Sequence, residues 1–284
     1  MIEGEFPRTI WMFWQQGFDA APVLVQKCLA SWRRHNPNWR IVLLDNKNLP
    51  DYVDTASIVK ANRDIISVQS LSNIIRINLL GQRGGVWVDA TCFCCRPLDD
   101  WLPERMTTTG FFAFDNPGRE RIIASWFMAS TNNCRLTKGY CDYTNAFWSN
   151  HHFTNKNARF ARPFIRNVGK ILHTNPRRAA LWVHPFVAKN LKLYPYHWFH
   201  YLFARLVSKD AECADLWRRT PRISADVPHR LKHIGLLEPV GAEIKSVIDS
   251  RQDPLYKLNW RADREVTPGC ILDYLLNLPT AIPA

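Results

Sequence analysis

Two oxygen-bearing side chains, Asp89 and Thr91, stand two positions apart at the end of the apolar run Gly85-Val86-Trp87-Val88. Side chains alternate along an extended strand, so this spacing turns both toward one point and leaves Ala90 on the other side. Such a pair suits a hard divalent cation, Mg²⁺ or Mn²⁺, which takes oxygen ligands and is commonly held by one or two protein groups with substrate phosphates completing its shell. A nucleoside diphosphate supplies phosphates of that kind. Taken alone, an Asp-x-Thr triplet is more often a cap on the turn after a buried strand. The flanking sequence decides between the two.

Upstream, the segment from Ser67 to Gly85 predicts a helix. Val68, Leu71, Ile75 and Leu79 fall on one stripe, and Gly81 has the character of a C-cap. Asn73 and Arg76 lie one turn apart and share a helix face. Gly84 and Gly85 then allow a tight approach of helix to strand. They form neither a GxGxxG fingerprint nor a Walker loop, so nicotinamide and ATP-type readings have no motif beneath them. Nearer the N-terminus, Thr9–Trp14 predicts a strand. A helix beginning near Pro22 carries the stripe Val25, Cys28, Leu29 and Trp32 and is ended by Pro37, and Trp39–Asp45 predicts a second buried strand. Strand, helix, strand, helix, strand implies an α/β fold whose residues 1–105 form a Rossmann-like nucleotide half, with ligand at the carboxyl ends of the strands, where Trp14 and Asp89 fall. Residues 106–284 are less regular and rich in aromatics, asparagine and proline, which suits an acceptor half and a C-terminal closing segment within one domain over 1–284.

Composition bounds the possibilities. A chain of 284 residues with 46% hydrophobic residues and 12 tryptophans can bury a sizeable core. The N-terminal MIEGEFPRT has two glutamates and no long apolar run, unlike a secretory signal, and no segment approaches the roughly 20 apolar residues of a membrane span. Eight cysteines in a chain of this size do not make a disulfide framework, and a reducing cytoplasm is expected. Cys92, Cys94 and Cys95 lack the paired spacing of a zinc site, and the other cysteines read as small buried hydrophobes.

The net charge of +12 attracts polyanions, whether nucleic acid, anionic lipid or anionic substrate. No nucleic-acid module accompanies it. From Arg159 to Leu181, arginines and Lys170 alternate with Phe160, Phe164, Ile165, Ile171 and Leu172, a mixture suited to anionic headgroups or to a solvated basic face. The aromatic stretch His197–Val207 extends such a rim or else forms a helix stripe of Trp198, Tyr201, Leu202 and Leu206 facing the core, the reading that helical spacing favours.

Four blocks bring these features together: Pro7–Gly17, Ser70–Phe93, Ala124–Ser130 and Pro254–Trp260. In them the chain resembles the bacterial capsular polysaccharide synthesis family, a relative of the Asp-x-Asp sugar transferases that include yeast-type mannosyltransferases and clostridial glucosylating toxins. The resemblance spans nearly the whole chain and is tightest over Ser70–Leu98.

What the resemblance implies is a GT-A-type fold and retaining transfer of a hexosyl group from a nucleotide-sugar, a UDP-sugar above all, to a growing surface glycan or lipid-linked glycan, with no nucleic acid involved. Trp14 would stack on the base, with Gln15 and Gly85 also at the donor. Asn73 and Arg76 match a Ser-Asp-x-x-Arg pattern that contacts ribose and the sugar or diphosphate. Asp89 matches the first aspartate of the metal motif, Lys257 and Trp260 a segment closing over the diphosphate. Asp89 and Arg76 would be the catalytic pair; Asp89, Thr91 and His229 would hold Mn²⁺ or Mg²⁺. Asn73 departs from the usual acid, and Thr91 from the second aspartate of the wider superfamily, which bears on donor preference and metal dependence. With an acceptor at the membrane surface, the basic and aromatic residues would place this cytoplasmic enzyme in peripheral contact with the inner membrane face. Two other readings stay open: a nucleotide-sugar-binding protein without turnover, and a basic polyanion-binding protein.

Overall fold

The computed structural model describes residues 5–154 and 161–278. Its centre is a five-stranded mixed sheet built from β1 (Thr9–Phe13), β2 (Arg40–Leu44), β3 (Gly85–Val88), β5 (Phe111–Gly118) and β6 (Arg121–Ser130), in the order β2-β1-β3-β6-β5. β1 runs parallel to β2 and β3, whereas β6 is antiparallel to both β3 and β5. A two-stranded ribbon, β4 (Cys92–Cys94) against β7 (Leu255–Lys257), stands apart from it. The α/β class with a mixed central sheet is as expected. The sheet nevertheless continues past residue 105, because the β5–β6 hairpin supplies two of its five strands.

Strand alternation divides the core. Ile10, Met12, Val86, Val88, Phe112 and Phe114 face a layer that includes Val25, Leu29 and Trp32 of the helix Val23–His35. Trp11, Phe13, Trp87, Phe111 and Met128 face the other layer, formed by the helices Val68–Arg83, Arg135–Ser149 and Trp198–Lys209. Burial on both faces explains why these strands read as nearly continuous apolar runs.

The second layer resolves one open reading. Trp198, Tyr201, Leu202 and Leu206 are all buried, so His197–Val207 is a core helix and not a rim. Of the basic and apolar alternation expected nearby, Arg159 and Phe160 lie outside the described residues, as do the side chains of Arg162, Phe164, Ile165 and Arg166. All eight cysteines are buried, as expected of the five scattered ones. Burial pushes the Cys92 thiol up to about 12 and raises Cys94 and Cys95 as well, which makes them inert packing groups.

The helix that carries Asn73 and Arg76 starts on Ser67, whose hydroxyl accepts from the Ser70 N–H at 3.2 Å. It ends three residues later than expected, with Gly84 as its C-cap. Gly81 is inside the helix, where a Cβ would stand 3.1 Å from Cys141 Cβ; it permits close packing on the Arg135–Ser149 helix and terminates nothing. Gly84 and Gly85 have φ of 65° and 92°, a region that favours glycine, and a Cβ on Gly85 would meet the Thr9 carbonyl oxygen at 2.6 Å. Gly85→Ala therefore combines backbone strain with a main-chain clash in the β1–β3 pairing. It should lower stability by about 3 kcal/mol, read from the midpoint of urea unfolding at constant m-value.

Candidate functional site

β3 delivers Asp89 to the carboxyl end of the sheet, where its N–H donates to the Trp126 carbonyl at 2.8 Å. Asp89 and Thr91 are not in a continuous strand as the alternation argument assumed; they lie in the turn between β3 and β4. They converge all the same, because the Lys257 ammonium donates to Thr91 Oγ1 and stands 3.6 Å from Asp89 Oδ2. Lys257 reaches them through the β4–β7 ribbon, in which Cys92 pairs with Lys257, and the Leu258 N–H donates to the Thr91 carbonyl at 2.8 Å.

The other Asp89 oxygen faces inward. Oδ1 accepts from Arg76 Nη2 at 3.0 Å and from Trp87 Nε1 at 3.0 Å. Arg76 is 4% exposed, and four of its five N–H donors are bonded within the protein: beside the Nη2 bond to Asp89, Nε donates to the Ser72 carbonyl, Nη2 also to the Ser72 hydroxyl, and Nη1 to the Ser125 carbonyl. Aromatic rings flank the guanidinium, Trp87 at 5.0 Å and Phe199 at 5.9 Å. Arg76 was expected to reach the sugar or diphosphate. The structure turns it inward, because a buried guanidinium needs partners and here finds four of them in the protein. Burial works against charge on Asp89, but Arg76, Lys257 and the Trp87 N–H outweigh it and hold the carboxyl below the ordinary carboxylate value.

The remaining expected residues surround this knot unevenly. Trp14, one residue past β1, is half-buried and meets Trp260 edge-on, with ring centroids 6.2 Å apart at 83°. The Arg261 guanidinium stands 5.1 Å from the Trp260 ring, a cation near the site that the sequence reading missed. Gln15 is half-buried beside Trp14, its carbonyl accepting from Asn46 N–H at 3.2 Å. Asn73 is half-buried, and its amide makes no hydrogen bond among the described residues, so it is available to a ligand. Gly85 is not brought to the site: it opens β3, about 13 Å of extended strand from Asp89, pressed against Thr9 and Trp11. His229 lies 5.5 Å from the Trp126 ring. Burial, helped by Lys232, His233 and Lys257, lowers its pKa to about 4, so it is neutral near pH 7.

The chain's own donor set does not fit a resident divalent cation. Asp89 is its single carboxylate, with Oδ1 taken by two N–H donors, and the Lys257 ammonium already stands between Oδ2 and the Thr91 hydroxyl. Among the described residues no group of three or more His, Cys, Asp or Glu is placed to hold a metal. One carboxylate between a guanidinium and an ammonium leaves a net positive site, which suits an anion such as a diphosphate. Trp87, Ser72 and the Ser125 carbonyl escaped the sequence reading. Trp87 had a signal, since i and i+2 share a strand face; the Ser125 carbonyl had none, because main-chain acceptors carry no sequence mark.

The chain belongs to the family of capsular polysaccharide synthesis proteins, whose model matches residues 3–156. It is 27% identical over 179 residues to the O-glycosyltransferase braB of Annulohypoxylon truncatum, covering 57% of this chain and 42% of that protein. It is 33% identical over 103 residues to the glycosyltransferase afumC of Aspergillus fumigatus, covering 32% of this chain and 26% of that protein. Over 104 residues it is 26% identical to the initiation-specific alpha-1,6-mannosyltransferase of Candida albicans, covering 34% of this chain and 27% of that protein. The chain thus spans less than half the length of the curated relatives it matches, all three of them fungal. Among solved structures it is similar to the PaToxG glycosyltransferase, with 12% identity, 72% of this chain and 87% of that one covered, and a TM-score of 0.40. A second is the apo-form glycosyltransferase GlyE of Streptococcus pneumoniae, with 12% identity, 92% and 63% covered, and a TM-score of 0.33.

Removing Asp89 leaves a buried guanidinium short of its counter-charge. Asp89→Ala should cost about 3 kcal/mol, measured by urea unfolding at pH 7. The carboxyl's folded pKa lies below the ordinary 3.8, so its contribution is complete above that value and is lost as pH falls through the folded one. Unfolding curves of wild type and Asp89→Asn should therefore converge in acid and separate above about pH 4.

Proposed function

We propose that the protein is a glycosyltransferase that moves a hexosyl group from a nucleotide-sugar, specifically a UDP-sugar, with retention, onto a growing capsular or other cell-surface polysaccharide. The single observation that carries this reading is the partly exposed Asp89–Lys257 pair at the end of β3, next to perpendicular Trp14 and Trp260 rings, in a chain of this family.

In this reading the indoles flank the base, and the Asn73 amide takes a ribose hydroxyl. The Lys257 ammonium pairs with the diphosphate, and Asp89 Oδ2 accepts from a hydroxyl of the donor sugar. Arg76 fixes the carboxylate that both contacts depend on. An acceptor hydroxyl oxygen bonds to the anomeric carbon while the bond from that carbon to the β-phosphate oxygen breaks, its electron pair leaving with the diphosphate. The acceptor's proton passes to the departing phosphate oxygen, so no side-chain base is required. Lys257 stabilises the charge that grows on the leaving group, the chief electrostatic task of such a transfer. The Mn²⁺ or Mg²⁺ that the resemblance implies would need the donor's own phosphates as ligands and a displaced Lys257, and no step is assigned to it.

UDP at 100 times its dissociation constant should stabilise the fold by about 2.7 kcal/mol in a melt, in EDTA as in Mn²⁺. Lys257→Met should melt like wild type without ligand and lose most of the UDP shift. UDP-sugar consumption with slow release of free sugar separates a transferase from a binding protein without turnover. A melt unmoved by UDP, GDP and CMP, with or without metal, would remove the donor assignment.

A further inference from the structure

The positive charge of this protein is concentrated. Between Asp142 and Asp210 the chain has no aspartate or glutamate and eleven lysines and arginines, against a net charge of +12 for the whole. The described part of that stretch is also where apolar side chains face outward: of nine exposed large hydrophobic residues among the described ones, five are Ile171, Leu181, Phe186, Leu191 and Tyr196. Phe186 and Tyr196 are 70% and 77% exposed, the two highest values of the nine. The short helix Pro185–Leu191 shows how the two features combine. Its Ala188 is buried against the protein, while Phe186, Lys189 and Asn190, three and four residues apart, look outward together. Lys192 follows it directly, and Arg177 and Arg178 lie on the short helix Pro176–Ala179, which packs with it on Ala180–Val183; all three are exposed and without an ion-pair partner among the described residues.

We infer that this surface docks on an anionic lipid bilayer. Basic side chains alone would fit any polyanion, but a hydrophilic polymer gives nothing for exposed Phe, Leu and Ile, whereas a bilayer interface takes the aromatic and aliphatic groups while its headgroups meet the arginines. No described helix is long and apolar enough to cross a membrane, so the contact lies on the surface of the bilayer. The surface is tied to the donor site. Two residues after Tyr196, Trp198 Nε1 donates to Ser70 Oγ at 3.0 Å, and Phe199 stands under the Arg76 guanidinium. An acceptor carried in the bilayer would thereby be presented beside the helix that positions Asp89. The inference does not depend on which nucleotide-sugar is used.

The test is flotation of the whole chain with vesicles, comparing phosphatidylcholine alone with a mixture containing phosphatidylglycerol. The chain should float with the anionic vesicles only and be released by high salt. Each basic residue near such a surface is worth about fivefold in partition, so Arg177→Gln/Arg178→Gln should bind about 30-fold more weakly. Phe186→Ser/Tyr196→Ser should also bind more weakly while keeping the salt dependence of wild type. These exposed substitutions should leave the melting temperature unchanged, which separates lost docking from lost folding. Equal flotation with neutral vesicles, no flotation at all, or full binding by the Phe186→Ser/Tyr196→Ser variant would overturn the inference. So would dextran sulfate competing completely while that apolar pair proves irrelevant, an outcome that would assign the surface to a soluble polyanion.

Discussion

The Arg76 guanidinium must keep its charge almost entirely out of water, and much of the structure is arranged to allow it. Its donors are met by one helix turn at Ser72, by the Ser125 carbonyl on β6 and by the Asp89 carboxylate, while rings from β3 and the Trp198–Lys209 helix cover its faces. Four elements of the fold are thereby held at one charge. Each is also packed in the sheet-covering layers, so the pairing cannot drift without disturbing the core.

The consequence for function is an Asp89 with two different sides. Oδ1 is fixed inward by Arg76 and Trp87, and Oδ2 faces Lys257 and solvent. Such a carboxylate stays ionised and oriented, the state needed to receive sugar hydroxyls and to hold an ammonium in place. The C-terminal segment completes it. β7 pairs with β4, and that pairing carries Lys257 to the turn containing Asp89 and Thr91 and sets Trp260 against Trp14. Where the Asp-x-Thr pair suggested a cation, the fold supplies an ammonium from a strand 166 residues further along the chain.

The sequence shows the parts of this arrangement that depend on local pattern. Strand and helix order, the stripe on Val23–His35, the exit through Gly84 and Gly85, and Asp89 at a strand end were all legible, because periodicity and glycine placement are local properties. The inward turn of Arg76 was not, since it depends on a carbonyl from β6 and a ring from a helix more than a hundred residues away. Gly81 misled for a related reason: a glycine near a helix end signals a cap, but here the absent Cβ serves contact with Cys141. The β5–β6 hairpin was assigned to the less regular half because antiparallel strands returning to a parallel sheet leave no trace in local alternation.

The central claim is that the Asp89–Lys257 pair is the seat of a nucleotide-sugar diphosphate. The most direct measurement is a crystal structure with UDP grown in EDTA. The account predicts the β-phosphate within hydrogen-bonding distance of Lys257 Nζ, the uracil against Trp14 or Trp260, and Arg76 still bonded to Asp89. UDP bound away from Lys257, or held only when Mn²⁺ replaces the ammonium between Asp89 and Thr91, would contradict it.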